Sequence, residues 1–122
     1  AKKVEEINKI PVFFIEKNNN HIVEQIKSKI SNCLFPEHNS NLASPALVTA
    51  LSSRLEKAVS IDNGVMHMIN LSNIPMIVLF GPTSSDKFAP KRDNVIILDS
   101  KKLYNTNDIS KINVDDVFKH LT

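Results

Sequence analysis

The sequence predicts an α/β fold, in which a parallel sheet is covered by helices on both faces. Short runs that are apolar throughout alternate with segments of helical periodicity, and this alternation is typical of parallel strands buried on both sides. Two of the most apolar runs end at the chain's only glycines, Gly64 and Gly81. Ligands of such sheets bind beyond the carboxyl ends of the strands, so these two turns are predicted to lie on the ligand-binding edge.

The first part of the chain is predicted to alternate between helices and strands. Val4 and Ile7 lie one turn apart and indicate the end of a helix. The apolar run 11–16 has the length of a strand, and 32–35 is a shorter strand candidate. The helix predicted between them has one apolar face, formed by Ile22, Val23, Ile26 and Ile30.

Ser44-Pro45 is predicted to begin the next helix, because serine caps helices and proline needs no hydrogen-bond acceptor in a first turn. Strands are then predicted at 57–62, 75–80 and 94–98, with a helix at 64–72 between the first two. Asn113 is predicted to cap a final helix whose inward side chains are Val114, Val117, Phe118 and Leu121. Together these elements are predicted to form a single domain over residues 1–122.

Composition excludes several classes of protein. Lys and Arg exceed Asp and Glu by only 15 to 13, and the basic residues are scattered, so no nucleic-acid partner is expected. No apolar run approaches the roughly 20 residues of a membrane span. One cysteine, Cys33, fits a reducing compartment and no disulfide framework.

Common cofactor and catalytic motifs are also missing from the sequence. There is no G-x-G-x-x-G after a strand and no G-x-x-x-x-G-K-[ST], so neither a dinucleotide fingerprint nor a P-loop is present. No His, Cys and Asp residues have metal-ligand spacing, and the serine-rich loop lacks a nucleophile elbow. We therefore expect no cofactor and no metal.

The turn after 57–62 has the features of an anion site. The amides of Asn63, Gly64 and Val65 are predicted free donors at a helix start, where the helix dipole adds about half a positive charge. His67 lies one turn further on. The neighbouring loop is predicted to add hydroxyls from Thr83, Ser84 and Ser85 and a positive charge from Lys87. The guest that fits is a phosphate or diphosphate, and Asp62 is left to accept from the helix start or from sugar hydroxyls.

Each of these features also has a purely structural interpretation. Asp62 before a helix is often only a cap, and a histidine on a short amphipathic helix is more often a packing residue. Gly81-Pro82 by itself is simply a turn. Only the combination of these features is specific.

That combination resembles the signature of the ADP-heptose:lipopolysaccharide heptosyltransferases, glycosyltransferase family 9. The signature has the approximate form Asp-[Thr/Ser]-Gly-x-x-His, a short helix, Pro, an apolar strand and [Phe/Tyr]-Gly-Pro-Thr. The matching residues here are Asp62, Asn63, Gly64, His67, Pro75, Phe80, Gly81, Pro82 and Thr83. Asn63 departs from the usual Thr or Ser, and replaces a hydroxyl donor with an amide donor.

The resemblance implies the carboxyl-terminal half of a glycosyltransferase B fold, a Rossmann-like domain that binds the nucleotide-sugar donor. It places the donor diphosphate and sugar at the helix start 62–67, where His67 helps to position them. Glu24 is matched to a ribose-binding glutamate, and the loop 36–42 is expected to border the nucleobase. The donor is a substrate, so this family needs no cofactor.

The same resemblance implies that parts of the enzyme lie outside this chain. The family's catalytic base is an aspartate of the amino-terminal acceptor half, so no catalytic residue is expected here and the chain alone should be inactive. The first strand of the donor half is also expected to be absent, because the chain begins inside the helix that follows it. The resulting gap in the sheet would be closed or filled by a strand from elsewhere, which predicts self-association of the fragment.

The leading hypothesis is therefore the donor-binding domain of an inverting, metal-independent bacterial glycosyltransferase. It would use ADP-heptose or a similar nucleotide sugar, with the lipopolysaccharide core or a related lipid-linked glycan as acceptor. A lipid acceptor implies a cytoplasmic protein that works peripherally at the inner face of the inner membrane. The alternative is a truncated or degenerate Rossmann-like module with a structural or nucleotide-binding role and no catalysis.

Overall fold

A computed structural model describes residues 1–38 and 45–122, except for the side chain of Pro45. The chain divides into two compact units. The first unit is Ala1–Ser44 and the second is Pro45–Thr122. The predicted Ser44 cap and most of the predicted nucleobase loop, residues 39–42, lie outside the described residues. The expectation of a single domain over 1–122 stays a prediction.

In the described part of the first unit, residues 1–38, the regular elements are two helices and a 3-10 turn. Helix α1 spans Lys2–Glu6, helix α2 spans Asn20–Lys27, and a 3-10 turn spans Pro36–His38.

The strands predicted at 11–16 and 32–35 were wrong, because residues 1–38 contain only one isolated parallel bridge, between Val12 and Leu34. Two hydrogen bonds form it: the Leu34 amide donates to the Pro11 carbonyl at 3.0 Å, and the Phe13 amide donates to the Leu34 carbonyl at 2.9 Å. Pro11 and Pro36 lack the amide that a longer ladder would need, so pairing stops after one step.

The second unit alternates strands and helices as predicted. Its elements are α3 Pro45–Ser52, β1 Ala58–Ile61, α4 Gly64–Leu71, β2 Met76–Phe80, α5 Ser85–Phe88, β3 Val95–Asp99, α6 Ser100–Tyr104, a 3-10 turn Ile109–Lys111 and α7 Val114–Leu121. The three predicted strands of this unit and the helix after the first of them are confirmed to within one residue at each end. Helices α5 and α6 were not predicted.

The strands of the second unit form one parallel sheet in the order β1-β2-β3. Ile61 of β1 pairs with Leu79 of β2, and Phe80 of β2 pairs with Asp99 of β3, so all three carboxyl ends meet at one edge. This arrangement confirms the α/β, Rossmann-like fold class. Among the described residues β1 is an outer strand, and its Val59 side chain is 42% exposed.

Both faces of β2 are buried. Met76, Val78 and Phe80 point to one face and are at most 2% exposed. Ile77 points to the other face and forms a core with Leu98 of β3 and with Ile112. Packed against that core are Leu79, Ile109, Val117 and Leu121. A strand buried on both sides must be apolar throughout, which explains the run of five apolar residues in β2.

Asparagine takes the place of glycine where helices end. Asn8, Asn73 and Asn105 follow α1, α4 and α6 with φ of 60°, 60° and 53°, in the left-handed region that usually favours glycine. Asn113 caps α7 as predicted, with its Oδ1 accepting from the Asp115 amide at 2.9 Å. Val114 was wrongly predicted to face inward: it is 64% exposed, because the first helical position lies before the turn that meets the core.

Candidate functional site

The turn between β1 and α4 is shaped by the side chain of Asn63. Asn63 is the N-cap of α4, with extended backbone at φ −157°, and its Oδ1 accepts from the Met66 amide at 3.0 Å. Asparagine suits this position because its short amide reaches back to the helix start. The cap is therefore Asn63 and not Asp62, and Asp62 lies half-buried just before it.

The first turn of α4 is open to a ligand. The amides of Gly64 and Val65 have no acceptor within the helix, because only later residues reach a carbonyl one turn back. A Cβ added at Gly64 would meet nothing within 4 Å, and Gly64 is exposed. Neither glycine of the chain has a positive φ, so the backbone does not require glycine at this position. The absence of a side chain leaves the helix start uncovered.

His67 lies on the solvent side of the same helix. It is exposed, whereas its neighbour Met66 is completely buried and Ile69 is 3% exposed. Helix α4 thus turns Met66 and Ile69 to the core and leaves the His67 imidazole outside it. His67 is therefore not a core packing residue.

The turn between β2 and α5 contains Gly81, Pro82 and Thr83. Gly81 is buried, and a Cβ there would lie 2.9 Å from both the Asn107 carbonyl oxygen and the Ile109 Cβ. This turn was predicted to lie on the ligand-binding edge, but contacts within the chain are enough to account for its glycine. Thr83 is exposed, so its hydroxyl is available at the carboxyl edge.

Two further residues lie next to this turn: Asp99, which was not predicted, and Ser85, whose hydroxyl was predicted to be available to the ligand. Ser85, the first residue of α5, donates from Oγ to Oδ2 of Asp99 at 2.5 Å. Both residues are buried, at 5% and 4% exposure. Asp99 ends β3 and caps α6, since its Oδ1 accepts from the Lys101 amide at 2.9 Å.

The Asp99 carboxyl is held in its charged form. Burial alone would raise its pKa, but hydrogen bonds from Ser85 and from the amides of Lys101 and Lys102 outweigh burial and bring the pKa below its usual value. A signal for this residue was present in the sequence. Asp99 follows the apolar run 94–98 just as Asp62 follows the apolar residues of β1.

The structure brings most of the predicted site residues to the ends of two neighbouring strands. After β1 come Asp62, Asn63, Gly64, Val65 and His67, and after β2 come Gly81 and Thr83. Glu24, the predicted ribose ligand, is exposed on α2 of the other unit. The binding roles of all these residues stay predictions.

Residues 1–38 and 45–122 contain neither a metal-binding cluster nor a helix that could cross a membrane. In these ranges no three residues among His, Cys, Asp and Glu cluster in a way that could hold a metal ion. No helix in the same ranges has the length and apolar character needed to cross a membrane.

Comparison with known protein families gives a match. The model of glycosyltransferase family 9 (heptosyltransferase) matches residues 1–117 of the 122-residue chain. No curated protein and no solved structure matches the chain significantly. The family match covers both units and includes every predicted site residue. The chain therefore belongs to glycosyltransferase family 9, and a glycosyltransferase-like function follows from that membership.

Proposed function

We propose that this chain binds the nucleotide-sugar donor of a heptosyltransferase-like enzyme. The donor is ADP-heptose or a similar sugar diphosphonucleoside, and the acceptor is the lipopolysaccharide core or a related lipid-linked glycan. The observation that supports this proposal most is the uncovered first turn of α4, at the carboxyl edge of a parallel sheet, in a chain of this family.

The donor diphosphate is proposed to lie over the start of α4. The Gly64 and Val65 amides would donate to its oxygens, and the helix dipole would favour its negative charge. Without a side chain on Gly64, a phosphate can approach the backbone closely. His67 on the same helix and Thr83 from the next turn would add side-chain donors.

The proposed chemistry is transfer with inversion at the anomeric carbon. The acceptor hydroxyl oxygen forms a new bond to that carbon, the bond to the diphosphate breaks, and the nucleoside diphosphate leaves with the electron pair. Donors already fixed at the start of α4 would stabilise the charge that grows on this leaving group. The hydroxyl proton would pass to a carboxylate base from the acceptor half of the architecture, so this chain alone should transfer no sugar.

Other parts of the proposal concern donor choice and location. Glu24 would bind the ribose, and the loop 36–42 would border the base. A lipid-linked acceptor would bring the enzyme to the inner face of the inner membrane from the cytoplasmic side. Metal independence is proposed because amides and side chains would replace the cation that often neutralises a diphosphate.

A non-catalytic module is the second candidate. The observation that favours it is the single Val12–Leu34 bridge, since a donor half would be expected to have complete strands there. The outer strand β1 supports self-association of such a module, because Val59 and Ile61 are 42% and 49% exposed. Light scattering across a concentration series would detect this self-association.

The proposal is tested by titrating the isotope-labelled chain with ADP and following its amide resonances. We expect resonances of Gly64, His67 and Thr83 to shift at millimolar ADP, with UDP giving smaller shifts. Adenosine is the control, because it lacks the diphosphate and should leave the Gly64 resonance in place. If neither ADP nor UDP moves these resonances, the donor-binding proposal is wrong.

A further inference from the structure

The 81–84 turn, residues Gly81–Ser84, is attached to the rest of the second unit by three separate contacts. Each contact joins the turn, or Ser85 directly after the turn, to the segment 99–109, which begins at the end of β3. The first contact joins two side chains, the second joins a side chain to a backbone carbonyl, and the third is steric, so no contact repeats another.

The first contact is the buried pair of Ser85 and Asp99. The Ser85 hydroxyl directly follows the turn and donates to the Asp99 carboxylate at 2.5 Å. The other oxygen of that carboxylate accepts from the Lys101 amide at 2.9 Å, which fixes its orientation. A charged acceptor in a nearly dry position makes a stronger hydrogen bond than an exposed one. The end of the turn is thereby joined to the end of β3.

The second contact comes from the side chain of Lys101. Its Nζ donates to the Pro82 carbonyl oxygen at 3.0 Å, in the middle of the turn. Lys101 is exposed and has no part in the core. The same residue therefore contacts the Asp99 carboxylate through its backbone and the turn through its side chain.

The third contact is steric and lies at the start of the turn. The Cα of Gly81 faces the Asn107 carbonyl and Ile109 so closely that no Cβ fits. That facing segment is itself held, because the Ser100 hydroxyl donates to the Thr106 carbonyl at 2.8 Å. The 81–84 turn thus rests on a surface that is fixed independently of any ligand.

From these contacts we infer that Ser85, Asp99 and Lys101 are positioning residues, which set the shape of the 81–84 turn for the donor. This inference rests on the proposed function, since it assigns the turn to the same diphosphate site. None of the three residues needs to touch the donor. They act by fixing in advance the Thr83 hydroxyl and the amides of the turn, which removes an ordering cost from binding.

Lys101→Met gives the sharpest test, because it removes the ammonium group and keeps most of the aliphatic stem of an exposed side chain. Ser85→Ala removes the buried hydroxyl and tests the first contact. Lys101→Arg restores a donor, and Lys119→Met, an exposed lysine on α7, is the matched control. Each variant of the 122-residue chain is assayed by calorimetric ADP titration and by amide hydrogen exchange without ligand.

We expect Lys101→Met and Ser85→Ala to weaken ADP binding about three- to tenfold, the range for losing one or two immobilised groups. Exchange at the turn amides should rise about tenfold in both variants, because local opening becomes easier. Lys101→Arg should recover most of the affinity, and Lys119→Met should behave as wild type. A merely structural role would lower the melting temperature without this selective rise in exchange.

Two results would overturn the inference. One is wild-type exchange at the turn in both Lys101→Met and Ser85→Ala. The other is faster amide exchange at the turn in these variants together with wild-type affinity for ADP. Failure of the wild-type chain to bind ADP is a different outcome: it contradicts the proposed function and the donor role of the turn together, while the exchange data still decide whether these residues hold the turn.

Discussion

Two turns at one edge of the sheet contain the chain's glycines, and the surroundings of the two glycines are opposite. Beyond β1, nothing lies within 4 Å of where a Gly64 side chain would begin. Beyond β2, the space at Gly81 is already filled by Asn107 and Ile109 at 2.9 Å. A glycine at the end of an apolar strand can thus leave room for a ligand or make room for the chain itself, and the sequence pattern looks alike in both cases.

The two turns also differ in how they are held. The first is capped locally, by Asn63 on an amide three residues later. The second is held by residues 99–109, through Asp99, Lys101 and the segment around Asn107. Local capping can be read from neighbouring residues, whereas the second arrangement depends on how β3 and α6 pack. This difference separates what the sequence predicts well from what it does not.

The largest expected effect on stability comes from Gly81→Ala, and Gly64→Ala is its matched counterpart. Gly81→Ala should lower the free energy of unfolding by about 1–3 kcal/mol, the range for overpacking, because its Cβ meets a backbone carbonyl. Gly64→Ala should leave it unchanged or raise it by up to about 1 kcal/mol, since alanine suits a helix better and meets no atom. Urea unfolding at pH 7 measures both. Equal destabilisation by Gly64→Ala and Gly81→Ala would contradict the proposed difference between the open surroundings of Gly64 and the filled surroundings of Gly81.

The second prediction concerns the pH dependence of stability, which depends on the Asp99 carboxylate that holds the second turn. The Asp99 pKa is lowered in the folded state, from an unfolded value of about 3.9, so the unfolded chain binds more protons in acid. The stability due to Asp99 is complete above about pH 5 and is lost as the pH falls through its folded pKa.

Asp99→Asn should therefore be less stable than wild type at pH 7, by about 1–3 kcal/mol for a disturbed buried hydrogen bond, with the deficit shrinking toward pH 3. Urea unfolding at intervals between pH 7 and pH 3 measures this convergence. A deficit that stays constant over the whole range would show that the Asp99 charge does not stabilise the second turn.

The second unit shows how much of this fold can be predicted from sequence. Strand β2 was predicted from its uninterrupted apolar run, because residues buried on both faces must all be apolar. Helix α4 was predicted from a short amphipathic stretch that carries His67, and the burial of Met66 and Ile69 on one face agrees with it. The bridge between Val12 and Leu34 was mistaken for two strands, since an apolar run does not show whether neighbouring prolines will stop the ladder.

The candidate site was also predicted only in part, because a local sequence pattern does not reveal contacts between residues that are far apart in the chain. The start of α4 follows from residues that are adjacent in sequence, namely Asn63, Gly64 and His67. The pairing of Ser85 with Asp99 joins the start of α5 to the end of β3 and depends on the register of β2 with β3. The reason for Gly81 is likewise a contact with residues more than twenty positions away. Such contacts have no local pattern in the sequence.

The smallest effect on stability is expected at His67. Its side chain is exposed, so His67→Ala should change the free energy of unfolding by no more than about 0.5 kcal/mol. ADP binding should nevertheless weaken, because the imidazole would be lost from the proposed anion site. Thermal unfolding and ADP titration of the same sample separate the two effects. A strongly destabilised variant would show that His67 supports the fold of the first turn.

The most direct test of the diphosphate site is Gly64→Asp, measured by calorimetric titration with ADP. Aspartate suits the first turn of a helix, because it complements the dipole, and its Cβ would meet no atom. The variant should therefore be at least as stable as wild type, yet its carboxylate would repel the diphosphate at close range. We predict that ADP binding is lost while the melting temperature is kept or raised. Wild-type ADP affinity in a stably folded Gly64→Asp chain would contradict a diphosphate site at the start of α4.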